Sequence, residues 1–292
     1  MIRTRGLRKV YDGTVALDAV DLDVPSGAVY GLVGPNGAGK TTLLSILAGL
    51  RSASDGAIEV SAPPSSMSML PDAPTWEPWL TGREVVDLSR TLSAADVPPD
   101  AVGHALSDAG LLDAADRRVG GYSRGMLQRL GLAATVVSRP SVLLLDEPAS
   151  ALDPSGRREV LDLVRRLRSA ATVVFSSHIL ADVQEVSDHV GILDRGRLVF
   201  QGPVGDLLAA GSAPAVLVRV REHSGDLAAA LRAHDWVTAA EPLDDRVVRV
   251  RVDDPTRAER DLIAAVAATG LPVTSITPDT PTLEDVFLEV TR

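Results

Sequence analysis

One stretch of eight residues limits the architecture of this chain more than any other: residues 34–41 read Gly-Pro-Asn-Gly-Ala-Gly-Lys-Thr. They follow Val29-Tyr30-Gly31-Leu32-Val33, an apolar run of buried-strand length, and lead into Thr41 to Leu50, an apolar stretch of helical length. A strand must therefore turn through a glycine-rich loop into a helix. Gly34, Gly39, Lys40 and Thr41 occupy every fixed position of the pattern G-x-x-x-x-G-K-[ST]. Glycines at this spacing let successive backbone N–H groups curl around a phosphate, and the helix N-terminus adds positive potential. In that arrangement Lys40 reaches the β- and γ-phosphates and Thr41 ligates Mg2+.

Further along, Val142-Leu143-Leu144-Leu145 reads as a second buried strand, ending in Asp146-Glu147-Pro148. Two acids before a proline are by themselves an ordinary strand exit. Beside a phosphate loop they gain roles, with Asp146 holding Mg2+ through water and Glu147 polarising the attacking water. A helix is expected from Asp153 as N-cap and Pro154 at its first position, burying Val160, Leu161, Val164 and Leu167. A third strand, Thr172 to Phe175, ends in Ser176-Ser177-His178. Alternating strands and helices imply an α/β fold with a parallel sheet. Ligands of such sheets lie at the carboxyl ends of the strands, where these polar ends converge. The alternation of Val15, Leu17, Val20, Leu22 and Val24 predicts one half-buried strand over 15–24.

Residues 73–139 carry a helical pattern and read as an inserted helical subdomain. Ala209-Ala210-Gly211-Ser212-Ala213-Pro214 is the best linker, which sets domains at 1–212 and 213–292. Beyond it the pattern predicts strand 215–221, helix 226–233, strands 236–240 and 246–252, helix 256–269 and strand 272–277, with a last helix from Leu283 to Val290. That βαββαβ order implies a small α+β, ferredoxin-like domain.

The chain has 292 residues and a net charge of -10, split as -5 over residues 1–212 and -5 over 213–292. Neither half is a basic platform, so no nucleic-acid partner is expected. The absence of cysteine excludes disulfides and thiolate metal sites, and the histidines outside position 178 (104, 189, 223 and 234) form no zinc-ligand spacing. No apolar run reaches the ~18 residues of a membrane helix, and no secretion signal follows Met1, so a cytoplasmic location is expected. Of 29 basic residues only Lys9 and Lys40 are lysines.

Taken together, these residues resemble the ATP-binding cassette (ABC) ATPases, the nucleotide-binding subunits of ABC transporters. The resemblance covers about residues 1–205. It rests on Tyr11, the loop at 34–41, Asp72, Tyr122-Ser123-Arg124-Gly125-Met126-Leu127-Gln128, Leu145-Asp146-Glu147-Pro148, Ser150-Ala151-Leu152-Asp153 and His178. It implies a P-loop NTPase cassette with a parallel-sheet core, an antiparallel β edge and the inserted helical subdomain. It implies ATP and Mg2+ as cofactors, with Gly34, Pro35, Asn36, Gly37, Ala38, Gly39, Lys40, Thr41 and Thr42 around the phosphates and Asp153 among the nucleotide contacts.

Tyr11 matches the family's adenine-stacking aromatic, and His178 its switch histidine, which contacts the γ-phosphate. Glu147, His178 and Lys40 form the catalytic set. Asp72 replaces the usual glutamine, and either approaches Mg2+ with Thr41 and Asp146 or caps a turn. Ser123-Arg124-Gly125-Met126 stands where the family carries Ser-Gly-Gly-Gln. Ser123 and Gly125, the residues expected at the γ-phosphate of the opposite subunit, are kept, while Arg124 and Met126 depart. Ser123 also reads as a helix cap. Gly121-Tyr122-Ser123-Arg124-Gly125 fits the serine-hydrolase elbow too, but no buried strand precedes it and the phosphate loop would go unexplained. Trp76 and Trp79 either face the groove that receives the membrane subunit or pack the helical subdomain.

The signature and the ending Thr282-Leu283-Glu284-Asp285-Val286-Phe287-Leu288 look like the ABC-2 exporter branch, which includes daunorubicin-resistance-type proteins. That implies a homodimer closing around ATP, separate integral membrane permease chains, and a peripheral position on the inner face of the membrane. The alternatives are a soluble ABC ATPase of DNA repair or the ribosome, and a C-terminal domain that senses a ligand.

Overall fold

The computed structural model describes residues 1–93, 96–210, 215–279 and 282–290. The chain divides into two compact units, Met1–Gly205 with Phe287–Arg292, and Asp206–Val286.

The first unit opens with an antiparallel layer. β1 (Ile2–Tyr11) pairs with β2 (Thr14–Val20), with β3 (Asp23–Val24) and, after β4 (Val29–Val33) and α1 (Lys40–Leu47), with β5 (Asp55–Val60). The single strand expected over 15–24 is thus two pieces. The Thr4 hydroxyl explains the break: it donates to Val20 O at 2.8 Å and accepts from Leu22 N at 2.9 Å, taking a ladder position between them. Helix α1 stops at Leu47 rather than reaching Leu50, because Gly49 turns the chain at φ 72°.

Next come β6 (Met67–Leu70), α2 (Gly82–Leu92), α3 (Ala101–Asp108), α4 (Arg124–Val136), β7 (Val142–Leu145), α5 (Pro154–Leu167), β8 (Thr172–Ser177), α6 (Leu180–Val186), β9 (His189–Asp194) and β10 (Arg197–Pro203). The central sheet runs β10-β9-β4-β8-β7-β6, parallel except for β10 against β9. β4 and β7 are buried along their whole length, as strands covered on both faces must be. Apolar side chains of the antiparallel layer (Leu7, Leu17, Val20), of α1 (Leu43, Leu44) and of the central sheet (Leu32, Leu144, Val174) form one core. Residues of α2, α3 and α4 form a second core, around Val86, Leu106 and Leu130, as expected for an inserted helical subdomain. Trp76 packs against that core, whereas Trp79 is 64% exposed.

α7 (Val204–Ala210) takes up the first two residues of the expected linker, and 211–214 lie outside the described residues. The second unit holds β11 (Ala215–Val220), α8 (Ser224–Leu231), β12 (Val237–Asp244), β13 (Val247–Val252), α9 (Pro255–Ala268) and β14 (Val273–Asp279), followed by α10 (Leu283–Val290). Its sheet order is β12-β13-β11-β14, antiparallel throughout. This is the βαββαβ sandwich that the alternating pattern predicts. Alternate residues Val248, Val250 and Val252 point into its core, and Arg249 and Arg251 point away.

Candidate active site

β4, β8, β7 and β6 lie side by side in parallel, so their carboxyl ends share one edge of the sheet. Gly34 follows β4, His178 follows β8, Asp146 follows β7 and Asp72 lies two residues beyond β6. Four sequence-distant segments thus meet because of strand order alone. A cleft of about 230 Å3 opens there, lined by Asn36 to Thr42 of the loop, with Ala16, Asp72 and Glu147.

The loop needs its glycines. A side chain at Gly34 would strike the carbonyl of Leu193. Gly39, the N-cap of α1, sits at φ 109°, and a Cβ there would lie 2.7 Å from Ala16 O. The Lys40 ammonium is buried. It donates to Gly34 O at 2.7 Å and lies 3.6 Å from Glu147 Oε1.

Glu147 is the hub of the polar network. Its Oε2 lies 2.7 Å from His178 Nδ1. Its backbone is left-handed, φ 47°, a conformation that costs a non-glycine residue about 1 kcal/mol or more and needs surrounding support. Ser176 supplies that support. Its hydroxyl accepts from Glu147 N at 2.8 Å and donates to Asp146 Oδ1 at 2.6 Å. The Gln128 side chain of α4 donates to Glu147 O at 3.5 Å. Asp146 is 1% exposed, and its other oxygen, Oδ2, is buried with no hydrogen-bond partner among the described residues.

His178 precedes α6, which is anchored from below. Arg157 Nε of α5 donates to Asp182 Oδ1 at 2.7 Å. Burial pushes the Asp182 carboxyl up, against the pull of Arg157.

Among the other candidate residues, Asp72 lines the cleft and accepts from Ser150 Oγ at 3.3 Å, whereas Asp153, Ser123, Gly125 and Tyr11 stand outside the lining. Asp153 caps α5 by accepting from Gly156 N at 3.1 Å. Ser123 caps α4 by accepting from Met126 N at 3.2 Å, which confirms the cap reading. Gly125 packs closely on Leu152, so that a Cβ would be 3.2 Å from it. The segment before Ser123 is a 3-10 turn, Val119–Gly121, not the strand a hydrolase elbow requires. Tyr11 sits at the tip of the β1–β2 hairpin, bonded to Arg51 rather than to the loop. Sequence reasoning assigned no role to Ser176, Gln128 or Ser150. The signal for Ser176 is a hydroxyl directly after the apolar run Val173-Val174-Phe175 in a strand buried along its whole length, which must find buried partners.

Comparison with known proteins agrees with this geometry. A family model described as ABC transporter matches residues 17–150, and one described as ATP-binding protein DrrA1-3-like, C-terminal domain, matches residues 211–291. The uncharacterized ABC transporter ATP-binding protein YxlF of Bacillus subtilis is 36% identical over 296 residues, covering 99% of both chains. The chain belongs to the ABC transporter ATP-binding proteins. Another relative of this ATP-binding protein is the daunorubicin/doxorubicin resistance ATP-binding protein DrrA of Streptomyces peucetius. It is 35% identical, with 99% of this chain and 92% of that one covered. A solved ATP-binding subunit of an ABC transporter superposes with a TM-score of 0.64 at 25% identity, covering 72% of this chain and 92% of that one. The ATP-binding protein is therefore an ATPase built on the ABC cassette fold, and it serves an ABC transporter.

Proposed function

We propose that this ATP-binding protein powers a membrane exporter of the ABC-2 type by closing as a dimer around ATP and reopening on hydrolysis. The observation that carries the catalytic part is the placement of Glu147 between Lys40 and His178 at the mouth of the loop. In this reading the loop amides from Asn36 to Thr42 and Lys40 bind the phosphates, with Gly34 and Pro35 shaping the turn. Glu147 aligns the attacking water, and His178 holds the γ-phosphate side of that water. This is electrostatic positioning more than covalent chemistry.

The donors present fit Mg2+. Asp146 Oδ2 is buried and lacks a hydrogen-bond partner among the described residues, and Thr41 lines the cleft with Asp72. No cluster of three acidic or imidazole ligands exists among the described residues. That suits an ion held by one or two carboxylates plus substrate phosphates. Bound there, Mg2+ would neutralise developing phosphate charge.

Ser123 and Gly125 of one copy face the nucleotide of the other, with Asp153 nearby, and Tyr11 stacks on adenine. Residues 1–212 carry the ATPase, and 213–292 are accessory. No described helix is long and apolar enough to cross a membrane, so the transport path belongs to separate permease chains that hold this subunit at the inner face of the membrane. The exposure of Trp79 supports a contact with them. Relatives matching the whole chain carry transporter or drug-resistance names, which favours export over a soluble role in DNA repair or on the ribosome.

The test is phosphate release by the purified chain. MgATP should be hydrolysed, EDTA should abolish turnover, and Asp146→Asn should lower it by about a hundredfold. Turnover that persists in EDTA would refute the metal assignment.

A further inference from the structure

Twenty-seven of the 29 basic residues are arginines, and Lys40 is one of the two exceptions. The other is Lys9, and the structure places it against Tyr11. Residues 9 and 11 share a face of β1. Lys9 Nζ lies 4.8 Å from the centroid of the Tyr11 ring and donates to Ser52 O at 2.7 Å. Arg51 Nη1 donates to the Tyr11 hydroxyl at 3.0 Å. Neither cation has an acidic partner among the described residues. Two further bonds tie the same segment down: Val10 N donates to Ser54 Oγ at 3.0 Å and Ser54 N to Arg8 O at 2.8 Å. Residues 51–54 follow closely on α1, whose other end is the phosphate loop. The hairpin tip and the loop are therefore tied to opposite ends of one short helix.

We propose that Lys9 and Arg51 are positioning residues for the nucleotide base. They hold the ring of Tyr11 as a preformed platform at a fixed distance from the phosphate loop. The inference rests on the reading of Tyr11 as the adenine contact. A side chain fixed before binding loses less entropy when the ligand arrives. The chemistry also explains a lysine in an arginine-rich chain. The Arg51 guanidinium already lies over the ring, its carbon 5.5 Å from the centroid; an ammonium adds only a compact point charge, whereas a second planar guanidinium at position 9 would stack flat and cover more of the surface that the base must use.

The experiment uses the full chain. It measures KM for ATP, kcat, and inhibition by inorganic tripolyphosphate, which has no base. Lys9→Met and Arg51→Ala should raise KM about three- to fivefold with kcat and tripolyphosphate inhibition unchanged. Lys9→Arg should raise KM as well, although it keeps the charge. Tyr11→Ala should raise KM by about tenfold or more. If Tyr11→Ala raises KM but the Lys9 and Arg51 variants do not, the positioning inference falls and the platform reading stands. If Tyr11→Ala leaves KM unchanged, both fall. If tripolyphosphate inhibition weakens in parallel with ATP binding, or Lys9→Arg behaves as wild type, the cations act through charge on the phosphates and the inference is overturned. Thermal unfolding of each variant, matched to wild type, confirms that the comparison is between folded proteins.

Discussion

Glu147→Gln should lower ATP turnover by about a hundred- to a thousandfold and leave the protein as an ATP-bound dimer. The size of the effect follows from the position of the side chain. One carboxylate oxygen lies 3.6 Å from Lys40 Nζ and the other 2.7 Å from His178 Nδ1, so Glu147 joins the loop to the residue that follows β8. The amide of glutamine keeps the size and one acceptor oxygen, but it loses the ion pair with Lys40 and cannot draw a proton from water. It also removes a negative charge from a cleft that must take up a triphosphate, so ATP binding survives or tightens. Phosphate release gives the rate, and size-exclusion chromatography with MgATP gives the dimer. A variant that stays monomeric with MgATP would contradict closure around ATP.

Mixed dimers of a Lys40→Ala subunit and a Ser123→Ala subunit should recover turnover that neither homodimer has. Each lesion alone removes a stabilising contact to the phosphates, a loss of about a hundred- to a thousandfold in rate. If Ser123 serves the nucleotide of the opposite copy, both lesions fall in one composite site and the other site stays intact. If each subunit completes its own site, both sites are damaged and the mixture stays inactive. Ser123 also caps α4 by accepting from Met126 N, and loss of a cap costs about 1 kcal/mol. Ser123→Thr keeps the cap, so comparing it with Ser123→Ala separates helix stability from phosphate contact.

The strand ends at the cleft were legible in the sequence where a buried apolar run gives way to polar residues, as the runs Val142–Leu145 and Val173–Phe175 do. Asp146 directly follows β7, and β8 leads to His178. The Asp153 cap with Pro154 was legible for a local reason as well, since capping depends only on neighbouring residues. The antiparallel layer was not. β5 is exposed along nearly its whole length and has no alternation to read. β1 carries Arg3, Arg5, Arg8 and Lys9 among its apolar residues, which hides its period. The network under Glu147 was hidden for a different reason. Ser176 matters only because β8 lies beside β7, and pairing between distant strands leaves no trace in either segment. The clamp on Tyr11 is of the same kind, joining β1 to a loop more than forty residues away.

Coupling of this ATPase to a membrane permease is tested by affinity capture of the chain from gently solubilised native membranes, with and without MgATP, followed by identification of what is retained. A polytopic membrane protein in stoichiometric amount is the expected result. Ribosomes, DNA-repair proteins, or no membrane partner at all would contradict the transport role and leave the ATPase standing alone.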